Sequence, residues 1–177
     1  MGGRFTYYFE QPDRKWLEDL SMGVEYDRYQ WLDGDLDSEE LEWNVIGVRT
    51  LQGDYIGFEV EFEREILRES FEIIDALMVP VDEYRGIDFE LEFRSSSDRS
   101  LFGEVELAYG DYYGGSSTRG EIELSWRPSR FLQLDCEIDS TLARLPQEDF
   151  EVLTGSLGLR VTPTTHLSFN AIAVSYT

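Results

Sequence analysis

The stretch from Gly57 to Glu65 places Glu59, Glu61, Glu63 and Glu65 at alternate positions, with Phe58, Val60 and Phe62 between them. A period of two marks a β-strand, because successive side chains leave a pleated backbone on opposite faces. The alternation recurs along the chain. Ile87, Phe89, Leu91 and Phe93 interleave with Asp88, Glu90, Glu92 and Arg94. Val105, Leu107 and Tyr109 interleave with Glu104 and Glu106, and Ile122, Leu124 and Trp126 with Glu121, Glu123 and Ser125. Leu132, Leu134, Cys136 and Ile138 interleave with Gln133, Asp135, Glu137 and Asp139. With further runs around Phe5, Met22, Trp43, Leu157 and Phe169, ten strands are predicted. Residues 67–83 read as a connection rather than a helix, since their acidic and apolar positions do not sort onto faces and Pro80 interrupts them.

The predicted connections alternate in length. Gln11-Pro12-Asp13-Arg14, Leu51-Gln52-Gly53-Asp54, Ser95 to Arg99, Pro128-Ser129-Arg130 and Thr162 to Thr165 read as short turns. Residues 33–37, 67–83, 111–117 and 140–149 read as longer loops. Short turns on one side and long loops on the other are the habit of an outer-membrane barrel. The predicted fold class is therefore all-β: an antiparallel up-and-down meander of about ten strands over residues 1–177, forming a transmembrane β-barrel or a fragment of a larger one. Placing the short turns in the periplasm puts both chain ends outside, which reads as an internal piece of a longer barrel.

Composition sharpens this picture. Asp and Glu number 37 against 15 Lys and Arg, a formal net charge of -22, which argues against nucleic acid and against an anionic membrane surface as partners. Aromatic residues at 14% and long patterned runs argue against disorder. One cysteine, Cys136, and one histidine, His166, leave little for a disulfide, a zinc centre or a classical triad. No apolar h-region opens the chain, which fits an internal piece, and no run approaches a spanning helix; the latter does not exclude a barrel, whose strands hide only every second residue from water.

Several short words recur in a familiar order: Gly110-Asp111-Tyr112-Tyr113-Gly114-Gly115, Ser125-Trp126-Arg127-Pro128-Ser129 and Leu145-Pro146-Gln147-Glu148-Asp149-Phe150. Phe71-Glu72-Ile73 with Val79-Pro80, and Phe93-Arg94-Ser95-Ser96-Ser97, precede them. In these words, over roughly Gly53 to Tyr176, the chain resembles the C-terminal barrel of a large bacterial family of uncharacterised proteins whose N-terminal part resembles a family-nine carbohydrate-binding module. The resemblance implies an outer-membrane location within a longer barrel. It carries no catalytic residue to this chain and, without the carbohydrate module, no sugar site; no cofactor is expected.

In a bilayer the apolar face must meet lipid. The lipid-facing candidates are Phe58, Val60, Phe62, Phe89, Leu91, Phe93, Leu107, Leu124 and Leu134. The lumen-lining candidates are Glu59, Glu61, Glu63, Asp88, Glu90, Glu92, Glu121, Glu123, Asp135 and Glu137. Their partners would be the lipid bilayer of the bacterial outer membrane, the missing parts of the barrel, and cations, since charged linings set pore selectivity; a generic hydrated face is the plainer reading. Like charges on neighbouring strands repel, and Arg94, Arg119 and Arg127 share the acidic face, with Arg64 and Arg160 nearby in sequence, to offset them. Asp33, Asp35 and Asp37 match the first ligand positions of a calcium loop, although Ser38 stands where its glycine belongs and Asn44 where its bidentate Glu belongs. His166, Ser168 and Asn170 alternate along one strand, at a spacing too long for a nucleophile and its base. Trp16, Trp43, Trp126, Tyr109 and Tyr112 are candidates for an interfacial aromatic girdle. The expected function is non-enzymatic: structural anchoring or solute passage. The alternative is a soluble ten-stranded barrel with the pattern inverted, holding a hydrophobic ligand among Phe58, Phe62, Phe89, Phe93 and Trp126.

Overall fold

The structure, a computed structural model, describes residues 1–10, 13–74, 77–164 and 167–176, and their side chains except those of Glu10, Pro163, Thr164, Leu167, Ser168, Asn170 and Tyr176. It is all-β, 79% strand, with no helix among the described residues. The strands are β1 (Gly2–Glu10), β2 (Leu17–Gln30), β3 (Leu36–Thr50), β4 (Tyr55–Ile66), β5 (Phe71–Ile74), β6 (Leu77–Val79), β7 (Glu83–Arg94), β8 (Leu101–Tyr112), β9 (Gly115–Ser129), β10 (Leu132–Arg144), β11 (Asp149–Thr164) and β12 (Leu167–Tyr176). Ten of them form one antiparallel sheet in the order β1-β2-β3-β4-β7-β8-β9-β10-β11-β12, and β5 and β6 form a separate hairpin. The predicted meander is thus present. The sheet is open, with β1 and β12 as its edges.

Two expectations need correction. Residues 67–82 are not plain loop, because Phe71 to Val79 carry the β5–β6 hairpin. The strict alternation of connection lengths also fails. The expected loop 111–117 is the two-residue turn Tyr113-Gly114, and β10 reaches β11 through residues 145–148. Both strands run on through polar and glycine-rich sequence, since backbone ladders need no apolar side chain. Both turn residues have positive φ, 44° at Tyr113 and 80° at Gly114, as the tightest hairpin turns require. Only residues 67–82 make one end of the sheet, the loop end, distinctly longer-looped than the other, the turn end.

The sheet is curled. A cavity of about 400 Å³ is lined together by Arg4 and Tyr8 of β1, Glu25 of β2, Asn44 of β3, Glu59 of β4 and Arg94 of β7. In a flat sheet, side chains four inter-strand steps apart stand about 19 Å from one another, so a shared cavity requires a concave face.

Candidate functional site

Strand register stacks the alternating side chains into rows that cross the sheet. Val24, Trp43, Val60, Phe89 and Tyr109 are successive partners from β2 to β8. The next row is Glu25, Glu42, Glu61 and Asp88, four carboxylates directly opposite one another. Beyond it come Tyr26, Leu41, Phe62 and Ile87, and then the charged row Arg28, Glu39, Arg64 and Arg85. Further round, Glu92, Glu106, Glu121 and Asp139 are opposed, as are Glu104, Glu123 and Glu137. One face is therefore apolar up to a charged margin at the loop end, and the other is carboxylate throughout its centre.

On β7 exposure alternates with the faces, the apolar side chains being the more exposed. Along β7, Phe89, Leu91 and Phe93 are 44%, 43% and 46% exposed, whereas Asp88, Glu90 and Glu92 between them are half-buried. Phe62, Leu107 and Leu124 are likewise exposed, and Phe58 and Leu134 half-buried. Val60 lies on the apolar face but is only 8% exposed, because its register partners Trp43 and Phe89 overshadow the smaller side chain. Glu59, Glu61, Glu121 and Asp135 are half-buried on the concave face, while Glu63, Glu123 and Glu137 on the same face are exposed. The phenylalanines expected by the ligand-binding alternative to converge on a core instead stand on the face away from the 400 Å³ cavity, while Trp126 lines an apolar cavity of about 570 Å³ with Leu101, Leu124, Leu134 and Leu157; among the described residues no large side chain is fully buried.

The apolar face has the height of a membrane belt. On β10 it runs from Leu132 to Leu142, about 33 Å along the strand, or about 23–27 Å across a bilayer at a tilt of 35–45°. That spans the roughly 25 Å apolar band of outer-membrane barrels. At its loop-end margin Arg64 pairs with Glu39 (3.1 Å) and Glu83 (2.9 Å). The girdle candidates divide: Trp16 and Trp126 are exposed near the turn end, and Tyr109 is exposed on the apolar face. Trp43 lies in mid-belt beside Val60, and Tyr112 turns to the concave face and packs on Tyr113, so neither belongs to a girdle.

The opposed carboxylates are only partly offset. Arg94 reaches Glu104 (2.7 Å) and Glu92, and Arg4 pairs with Glu25. Arg119 of β9 extends across β8 to Asp88 of β7, over Ala108 and Gly110, whose small size leaves it room. Asn44 donates to Glu59 (2.9 Å), and Asp135 accepts from Ser125 (2.6 Å) and Gln133 (2.8 Å). Arg127 lies over the Phe102 ring instead of against a carboxylate. Near the middle, Glu42, Glu59, Glu61, Asp88 and Glu90 line a cavity of about 180 Å³. Asn44 Oδ1 and Asp88 Oδ1 are buried without a hydrogen-bond partner among the described residues. Such groups, and like charges at this density, require water on the concave face.

The cross-strand reach of Arg119 and the half-burial of the acids were not legible in the sequence; the alternating small residues Ala108 and Gly110 were the signal for the first. Asp33 and Asp35 do not meet as a calcium loop. Both bind the Arg68 guanidinium (2.6 and 2.8 Å), which holds the Asp33 carboxyl below its usual range through that hydrogen bond. Among the described residues no three metal-ligating side chains gather. His166 and the side chains of Ser168 and Asn170 lie outside the described residues. Comparison with protein-family models, curated proteins and solved structures finds no match.

Proposed function

We propose that this chain is the wall of a bacterial outer-membrane β-barrel, non-enzymatic, whose convex face meets lipid and whose concave carboxylate face borders water. It serves as an anchor or as a passage for solutes, cations being favoured by the sign of the lining. One observation carries the reading: on β7 the apolar side chains are the exposed set and the carboxylates the enclosed set. In water that arrangement leaves neighbouring large apolar side chains exposed on one face, of the kind that marks an interaction or membrane surface. In a bilayer the same surface is satisfied, and reversing it would bring a dozen carboxylates into hydrocarbon.

Strands can span a membrane only where backbone groups pair with neighbouring strands, and every strand of the main sheet except its two edges is paired on both sides. The family resemblance, which rests on the short sequence words alone, points the same way. The alternative of a soluble barrel around a hydrophobic ligand requires Phe58, Phe62, Phe89, Phe93 and Trp126 on the enclosed face. Purification decides between them. The chain should need detergent or lipid to stay monodisperse and should float with vesicles at high salt; a monodisperse species in plain buffer overturns the membrane reading.

A further inference from the structure

Cavities of different size lie along the concave face. Those of about 400 and 510 Å³ lie towards the turn end, and one of about 180 Å³ lies among Glu42, Glu59, Glu61, Asp88 and Glu90. Near the loop end a cavity of about 50 Å³ is bounded by Glu63, Glu65, Tyr84, Tyr112 and Tyr113. We infer that Tyr113, with Phe71 of the β5–β6 hairpin, forms an aromatic cap that constricts this end of the acidic face. The inference deepens the lumen reading and rests on it for its role in passage.

Independent observations converge on Tyr113. It is the described non-glycine residue with positive φ, in the first position of a turn that favours Asn, Asp or Gly. A tyrosine there strains the backbone for no local benefit, so its tertiary contacts must hold it. Its ring meets Phe71, Tyr84 and Tyr112 edge-on, with centroids 5.4, 5.1 and 4.8 Å away. Its hydroxyl donates to Glu65 at 3.0 Å on the rim of the concave face. The hairpin that brings Phe71 is fastened at its base, where Leu67 N–H donates to the Asp82 carbonyl (3.0 Å) and the Tyr84 hydroxyl to the Pro80 carbonyl (2.9 Å). It carries Leu77 and Val79, two of the few apolar side chains buried in the ordinary way. Arg68 ties its approach to Asp33 and Asp35 while lying over Trp31. The apolar packing of a water-soluble protein thus reappears here, beyond the charged margin of the belt, where an aqueous cap would lie.

Tyr113→Gly suits the test because it relieves the backbone and removes the ring, and Tyr113→Asn, also at home in this turn, stands in should glycine impair folding. In a Cys136→Ser background, a cysteine is placed either at Gly86, half-buried in the small cavity beside Tyr113, or at Ser156, in the 510 Å³ cavity. Labelling of the full chain in detergent micelles by a charged, water-soluble maleimide gives the readout. Labelling at position 86 should accelerate about tenfold in either variant, the change expected from losing an aromatic cluster and a hydrogen bond, with position 156 unchanged. Tyr113→Phe, which keeps the ring, should give a smaller change. Equal rates at position 86, or equal acceleration at both positions, overturn the cap. Potassium chloride conductance in planar bilayers then separates the two readings: faster labelling with unchanged conductance keeps the cap and removes its role in passage.

Discussion

A single arginine on the convex face tests which solvent that face meets. Leu91 is 43% exposed, lies midway along the apolar run of β7 between Arg85 and Ser95, and faces Phe58 and Leu107 across the register. In a bilayer, Leu91→Arg puts a guanidinium near the midplane at a cost of about 2–4 kcal/mol, roughly a 30- to 700-fold loss in the folding equilibrium. Part of any loss is the missing leucine, about 0.2–1 kcal/mol for each cross-strand pair, so Leu91→Ala is the reference. Were the face in water, a half-exposed position would accept arginine within about 0.5 kcal/mol of alanine. Depth adds a second check. Ile87→Arg, one row from Arg64 and Arg85, should cost only about 0–1 kcal/mol, as near an interface. The assay is reversible urea unfolding from phospholipid vesicles, compared at constant m. Leu91→Arg matching Leu91→Ala, or both arginine variants costing the same, would refute the lipid assignment.

Other outcomes follow from the opposed carboxylates and the close-packed turns. Glu90→Gln removes a charge directly opposite Glu59 and should stabilise the chain by about 0.2–1 kcal/mol in the same unfolding assay. Gly110→Ala should destabilise by about 1–3 kcal/mol, since its methyl group would collide with the Asp88 carboxylate and the Ile87 carbonyl beneath the Arg119 bridge. At the turn end, Asp54 accepts from Ser96 N–H (3.0 Å) and Arg99 (2.6 Å), and the Ser96 bond foremost lowers its pKa. A carboxyl depressed in the folded state stabilises above its unfolded value, about 3.9. The deficit of Asp54→Asn against the parent should therefore be complete above about pH 5 and vanish as pH falls through the depressed folded value; urea midpoints across that range would show it.

Much of this protein could be read from its residues because alternation is a local property. Asp88 to Phe93 must present acids to one side and apolar groups to the other in any strand, whatever its neighbours, so strand existence and the separation of faces followed directly. Register was also constrained, since a slip of one residue between β4 and β7 would set Glu61 against Phe89 and mix the faces. The tight turn at Tyr113-Gly114 escaped because glycine-rich sequence suits a loop as well as a hairpin, and only the paired backbone chooses between them. The β5–β6 hairpin escaped because its arms, Phe71–Ile74 and Leu77–Val79, are too short to establish a period. Pattern alone could not tell which face is enclosed, since a ribbon with one apolar and one acidic side can curl either way. Curvature is set by how many strands pair and how their side chains crowd across the sheet. That non-local sum drew the carboxylate side of β1 to β7 around a shared cavity, brought Arg119 over β8 to Asp88, and set Tyr113 against Phe71 and Glu65.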